Sequence, residues 1–304
     1  MARLNVVMAA DGTYAKQLAV ALRSLSDCAG STEFHAFVLQ SGIDGELRAR
    51  VEASCDENVA ITWLGVKADL VDGVNIARRL PRPTAFRIVA STVLPPDLSR
   101  VVYLDSDVLV RHPLDELWSM DLGDAPVAAV RDAFVPFVSM DVPWRSTGID
   151  PRGPYFNAGV LVVPLDRWRE LDVSARGIAL LRDFRLPHSD QSALNILFAS
   201  EWRVLPPKWN LQTAHLAGEG ARAWGFEDRA DLEHAIADPV IAHLTEGGFS
   251  RPWDAGSLHP FRDAWFETLD RTPWAGWRPR REWTAGASRR IGRAASALLG
   301  RRYE

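Results

Sequence analysis

Cysteine is scarce in this chain of 304 residues, with only Cys28 and Cys55 present. Two cysteines exclude a disulfide framework and a cysteine zinc cluster, and they fit a reducing cytoplasm. Lysine is scarcer than usual too: Lys16, Lys67 and Lys208 are the only ones, so arginine carries nearly all the positive charge. No apolar run approaches the roughly 20 residues needed to cross a bilayer; Gly159 to Leu165 is only of strand length. The N-terminus runs from Met1-Ala2-Arg3 straight into a strand-like segment without the layout of a signal peptide. A strong charge of one sign is also missing. The net charge of −4 and pI near 6.0 argue against general nucleic-acid binding.

What is present is ample core material: 47% hydrophobic and 24% charged residues, enough to fold without structural staples. Leu4 to Ala10 is a continuous apolar run of buried-strand type, followed by the turn and N-cap signal Asp11-Gly12-Thr13. Tyr14 to Leu25 then shows helical spacing in Leu18, Ala21, Leu22 and Leu25. Strands are predicted at 34–39, 59–66 and 101–104, with helices at 46–54 and 84–94, the latter stopped by Pro95-Pro96. Strands alternating with helices in this order predict an α/β fold with a mostly parallel sheet covered on both faces. Further strands are expected at 127–130, 159–163 and 240–244, and helices at 174–184, 191–199 and 231–237. The stretch from Phe134 to Pro154 is rich in Pro, Gly and aromatics, and a loop this long usually binds something or closes over a site.

No repeat or linker divides the chain, so residues 1–273 read as one domain and 274–304 as a tail. The tail holds Arg278, Arg280, Arg281, Arg289, Arg290, Arg293, Arg301 and Arg302 against Glu282 and Glu304, with Trp274, Trp277 and Trp283 among them. Basic residues interleaved with aromatics favour attachment to an anionic membrane surface over the alternative of a solvated basic tail.

Asp105 and Asp107 follow the apolar strand Val101 to Leu104, and open α/β sheets bind ligands at the carboxyl ends of such strands. Carboxylates at i and i+2 on extended backbone point the same way and can share a hard cation. Bridging a diphosphate, that cation would offset charge on a leaving group. The bland alternative is a pair of solvated acids in a turn. His243, within the apolar run Val240 to Leu244, is either a core histidine or a third ligand; an imidazole with two carboxylates suits Mn²⁺ better than Mg²⁺. Gly247-Gly248 and Arg251 offer backbone N–H groups and a guanidinium for phosphate oxygens, or form an ordinary turn. Asn157 has the donor and acceptor that sugar hydroxyls need, or makes a turn. Ser189 or Asp190 is an N-cap, or Asp190 and Gln191 face a reacting sugar carbon.

Read in order, Ala9-Ala10-Asp11, Arg87, Tyr103-Leu104-Asp105-Ser106-Asp107, Phe156-Asn157-Ala158-Gly159, Asp190-Gln191 and His243 through Arg251-Pro252-Trp253 resemble glycosyltransferase family 8 over roughly residues 4 to 270. This is the retaining family of the lipopolysaccharide galactosyl- and glucosyltransferases and of glycogenin. The resemblance implies a GT-A fold with a Rossmann-like sheet, a UDP-sugar donor, and Mn²⁺ (Mg²⁺ as alternative) held by Asp105, Asp107 and His243. It further implies Asp11 at the uracil, Ala9 among the nucleotide-binding residues, and Arg87 at the donor sugar or diphosphate. Asn157, Asp190 and Gln191 would line the sugar, with Asp190 or Gln191 at the reacting carbon. Ser106, Gly247 and Arg251 would complete the nucleotide site. Relatives of the lipopolysaccharide type carry a membrane-attaching basic tail. Ser192 stands where the family usually has an acid. Arg251 stands where lysine is usual, which keeps the charge but not its point geometry.

The expectation is transfer of glucose or galactose, with retention, to an acceptor hydroxyl of a lipopolysaccharide or other, lipid-linked glycan, by a cytoplasmic protein peripheral on the inner face of the cytoplasmic membrane. Two other readings are a sugar nucleotidyltransferase and a non-catalytic glycan-binding protein of the same fold. The first should carry a basic, Gly-rich loop after the first strand, where this chain has the acidic Ala9-Ala10-Asp11-Gly12-Thr13.

Overall fold

A computed structural model describes residues 3–76, 82–199, 201–217 and 229–280. The membrane-attaching reading of the tail falls mainly on residues 281–304, outside the described residues. The strands are β1 (Arg3–Asp11), β2 (Glu33–Ser41), β3 (Val59–Gly65), β4 (Arg100–Leu104), β5 (Val108–Val110), β6 (Ala128–Arg131), β7 (Phe156–Pro164), β8 (Arg203–Val204), β9 (Leu211–Gln212) and β10 (Ile241–His243). The longer helices are α1 (Ala15–Asp27), α2 (Gly45–Glu52), α3 (Val173–Asp183), α4 (Asp190–Phe198), α5 (Arg229–Ala237) and α6 (Arg262–Leu269).

The main sheet runs β3-β2-β1-β4-β7-β6-β8. Its pairs are parallel except those of β7 with β4 and β6, so β7 alone runs against the rest. The mostly parallel expectation therefore holds, and burial on both faces explains the unbroken apolar runs of β1 and β7. Val6 and Met8 of β1 join one core with Leu18, Leu22 and Leu25 of α1. Val7 between them joins the other, with Phe37, Leu39 and the α3–α4 layer. Each such fully buried side chain contributes about 1.5–3 kcal/mol of transfer free energy.

A second, small sheet, β5-β10-β9, is absent from the sequence expectation, apart from the strand at 240–244. Its strands are two or three residues long, too short for periodicity to reveal. The helix expected over 84–94 is instead a 3₁₀ segment, Arg82–Arg87, and a single α-turn, Ala90–Val93. Trp274 and Trp277, grouped with the tail from sequence, cover the domain core instead. Trp274 is buried beneath Arg50, whose guanidinium lies 4.2 Å from its ring, and Trp277 packs on Trp265 and Phe266 with Lys16 5.0 Å away. Among the described residues no helix is long and apolar enough to cross a membrane. Both cysteines are free thiols.

Candidate active site

β1 and β4 are parallel neighbours, with Val7 opposite Tyr103, so their carboxyl ends bring Ala9, Ala10 and Asp11 beside Asp105, Ser106 and Asp107. The Ser106 hydroxyl donates to Ala9 O at 2.8 Å and ties the two strand ends together. Between Asp105 and Asp107 the chain leaves the main sheet for the small one. Asp105 N donates to Gly159 O of β7 at 2.8 Å, and Leu244 N donates to Asp107 O at 2.9 Å. His243 of β10 lies opposite Val108 and is carried to the same point. Its Nε2 is 3.3 Å from Asp107 Oδ1 and 3.6 Å from Asp105 Oδ2. One ligand atom from each residue lies within 4.8 Å of the others, a spacing that fits a single divalent cation with an oxygen, oxygen, nitrogen donor set.

Close packing puts the imidazole there. A Cβ on Gly159 would fall 2.0 Å from His243 Cε1, so only glycine leaves room for the ring. Burial works to raise the Asp107 carboxyl, but the hydrogen bond and charge of His243, with Arg251 beyond, outweigh it and bring the pKa to about 2. Burial disfavours the charged His243 ring in turn, yet Asp107 and Asp105 raise its pKa.

A cleft of about 140 Å³ opens on these groups, lined by Ala9, Asp11, Tyr14, Arg87, Tyr103, Asp105, Ser106, Asp107 and Arg251, among others. Asp11 is the N-cap of the turn that follows β1, accepting from Thr13 N at 2.9 Å. Arg251 bonds the Tyr14 hydroxyl, and its guanidinium lies 5.9 and 5.8 Å from the Tyr14 and Trp253 rings. Burial, then the Asp107 charge, pushes the Tyr14 hydroxyl up to about 12. A larger hollow of about 460 Å³ beside Leu4, Asp115 and Trp118 opens at the other end of β1 and holds no comparable group of ligands.

Arg87 is buried under the cleft floor. It bonds Ala158 O, reaches Asp105 at 2.8 Å and Asp190 at 2.5 Å, and lies 4.7 Å from the Tyr103 ring. Burial opposes its charge, but Asp105 and Asp190 more than compensate and raise its pKa. Burial pushes the Asp190 carboxyl up to about 6, against the pull of Arg87. Ser189 holds the N-cap position of α4 without a side-chain cap bond.

Asn157 lies inside β7 and not in a turn. Its Oδ1 accepts from Gly159 N and Asn210 Nδ2, both at 2.9 Å, and its Nδ2 donates to Asp132 at 3.0 Å. Gln191 donates to the same Asp132 oxygen at 3.0 Å and accepts from Ala158 N at 2.9 Å. Gly247 packs against Phe134 and Ala214, where a Cβ would come within 2.8 and 2.9 Å. The structure thus brings Ala9, Asp11, Arg87, Asp105, Ser106, Asp107 and Arg251 to one cleft. His243, Asp190, Asn157 and Gln191 are tied behind it by polar contacts, while Gly247 is a packing position beside it.

Tyr14, Asp132 and Asn210 were missed from sequence, and Tyr103, named within its strand motif, was given no role. Asp132 follows the strand at 127–130, so the strand-end signal that marked Asp105 marks it equally. Tyr14 was hidden as the first residue of an expected helix, and Asn210 carries no sequence signal.

The glycosyl transferase family 8 model matches residues 5–255. The chain belongs to that family. The chain is 26% identical over 279 residues to General stress protein A of Bacillus subtilis, covering 89% of this chain and 94% of that protein. It is 23% identical over 282 residues to lipopolysaccharide 1,2-glucosyltransferase of Escherichia coli, covering 91% and 80%. Streptococcal relatives are longer, and the chain spans 19–62% of their lengths. In fold it resembles the galactosyltransferase LgtC, solved with donor and acceptor sugar analogs, with a TM-score of 0.76, 26% identity, and coverage of 92% of this chain and 99% of that one. The GT-A expectation is met: this family 8 glycosyltransferase has the LgtC-like mixed α/β architecture.

Proposed function

We propose that this family 8 protein transfers glucose or galactose from a UDP-sugar to an acceptor hydroxyl, with Mn²⁺ as the favoured cation and Mg²⁺ as the alternative. The observation that carries this reading is the convergence of Asp105 and Asp107, which line a cleft that also holds Asp11, Tyr14 and Arg251, with His243 buried behind them. Asp105, Asp107 and His243 would hold the cation, which when bound supplies positive charge to the departing diphosphate.

The chain's own groups do the remaining work. Arg251, bonded to the Tyr14 hydroxyl and near the Trp253 ring, lines the cleft and would offer its guanidinium to phosphate oxygens. Asp11, with Tyr14 beside it in the cleft, would meet the uracil. Arg87, held by Asp105 and Asp190, fixes the floor beneath the sugar, so the groups facing the bond that breaks are set before substrate arrives. Asp190 and Gln191 are the groups assigned to the sugar. Retention at the anomeric carbon is taken from the resemblance to the family. A lipopolysaccharide or other lipid-linked glycan acceptor agrees with the relative from Escherichia coli and with the basic residues beyond position 280, which would hold the protein on the inner face of the cytoplasmic membrane.

The test is hydrolysis of a panel of UDP-sugars with and without Mn²⁺, wild type against Asp105→Ala. Metal-dependent hydrolysis of a UDP-hexose that is lost in the variant is expected. Hydrolysis unchanged by the substitution would remove the site assignment. Calorimetry with UDP and Mn²⁺ separates a catalyst from a glycan binder, which would show no metal-linked UDP affinity.

A further inference from the structure

Behind the cleft runs an unbroken series of hydrogen bonds through the buried residues His243, Asn210, Asn157 and Asp132, ending on the half-buried Gln191. His243 Nδ1 and Asn210 Oδ1 are 2.9 Å apart; Asn210 Nδ2 and Asn157 Oδ1, 2.9 Å; Asn157 Nδ2 and Asp132 Oδ2, 3.0 Å. Asn210 is completely buried.

The direction of every bond in the series is set by groups that have no choice. The Asp132 carboxylate can only accept, and it already accepts from Phe134 N, Val135 N and Gln191 Nε2. Asn157 must therefore turn its NH₂ toward Asp132. The Gly159 backbone N–H, which can only donate, independently demands the Asn157 oxygen on the other side. That oxygen needs a donor from Asn210, so the Asn210 NH₂ faces Asn157 and its oxygen faces the imidazole. An amide oxygen there accepts only from a protonated Nδ1, which leaves the lone pair of a neutral ring on Nε2, the nitrogen directed at Asp105 and Asp107.

We infer that Asn210 is a positioning residue for the metal site: polarised by Asp132 and Gly159 through Asn157, it fixes His243 in the tautomer whose Nε2 can bind a cation. The same relay reaches Gln191 through the Asp132 carboxylate, so the residue assigned to the sugar and the histidine assigned to the metal are aligned by one hydrogen-bonded series. Outer-shell partners of this kind are worth about 10–100-fold in metal affinity.

The inference rests on the reading of Asp105, Asp107 and His243 as the cation site, and its test keeps the two apart. Long-range ¹H–¹⁵N spectra of the metal-free wild type, at alkaline pH where its imidazoles are neutral, should show His243 protonated at Nδ1; a proton on Nε2 overturns the inference without reference to metal. Mn²⁺ titration of Asn210→Leu, followed by electron paramagnetic resonance, should show binding weaker by about 10–100-fold. Asn210→Asp, which still accepts from Nδ1–H but no longer donates to Asn157, should bind better than Asn210→Leu and less well than wild type. Asn210→Leu that binds Mn²⁺ like wild type overturns the inference, as does failure of Asn210→Asp to bind better than Asn210→Leu. If Asn210→Leu does not fold, the wild-type spectrum decides. Wild type that binds neither Mn²⁺ nor Mg²⁺ would instead remove the metal reading.

Discussion

Gly159 shows how much one missing methyl can decide. A Cβ there would lie 2.0 Å from the His243 ring, and β10 and Asn210 leave the imidazole no equivalent place to go. Gly159→Ala is therefore expected to weaken Mn²⁺ binding by more than the 10–100-fold typical of an outer-shell change, with calorimetric titration as the check; wild-type affinity would contradict the packing account. Asp190 gives a pH dependence of unusual sign for an acid. Its folded pKa is pushed up to about 6 from 3.8, so the native state holds the extra proton between those values. Its contribution to stability should accordingly fall as pH rises through that window. Urea midpoints of wild type minus Asp190→Asn, measured from pH 4 to 6.5, should decline; a flat difference would oppose it. At this scale the sequence was readable where a residue stood at a strand end, as with Asp105 and Asp107. It was unreadable for Asn210, whose importance comes entirely from a neighbour far along the chain.

At the scale of elements, the irregular stretch from Phe134 to Pro154 is held at its start by Asp132 and in its middle by Asp141. Asp141 accepts from the Tyr155 hydroxyl at 2.6 Å and from Ser192, and meets His188 Nδ1 at 2.5 Å. Ser192, in the place of the family's usual acid, thus sits on a carboxylate supplied by the loop. Asp141→Ala would strip the buried Tyr155 and Ser192 hydroxyls of this acceptor at about 1–3 kcal/mol each. Faster hydrogen exchange across 134–154 is expected, with the β1–β4 core unaffected; unaltered exchange in the loop would show that its anchoring lies elsewhere. The long strands and helices were legible because their periods repeat often enough to be seen. The strands β5, β8 and β9 were not, because two or three residues carry no period and form only when a partner strand is already in place.

For the whole molecule, the packed domain continues past the boundary drawn from composition. Trp274 packs under Arg50 of α2 and Trp277 against Lys16 of α1 and Trp265 and Phe266 of α6, so a chain ending at residue 273 should lose about 3–5 kcal/mol, the usual cost of deleting a buried tryptophan. A chain ending at residue 280 should melt like the full chain yet lose co-sedimentation with anionic vesicles. Equal melting of the two truncations would contradict the packing, and retained sedimentation would contradict the membrane role of the residues beyond 280. The two sheets meet at the Asp105–Asp107 turn, and this has a consequence for the protein as it is made. Both carboxylates leave the ribosome long before Asn210 and His243 do, and at about 5–20 residues per second the interval lasts roughly 5 to 30 seconds. A nascent or prematurely ended chain could build much of the main sheet and still lack the imidazole that completes the trio. If these three residues hold a cation as proposed, its uptake would be a late event in biogenesis, one that separates finished molecules from fragments sharing most of their architecture.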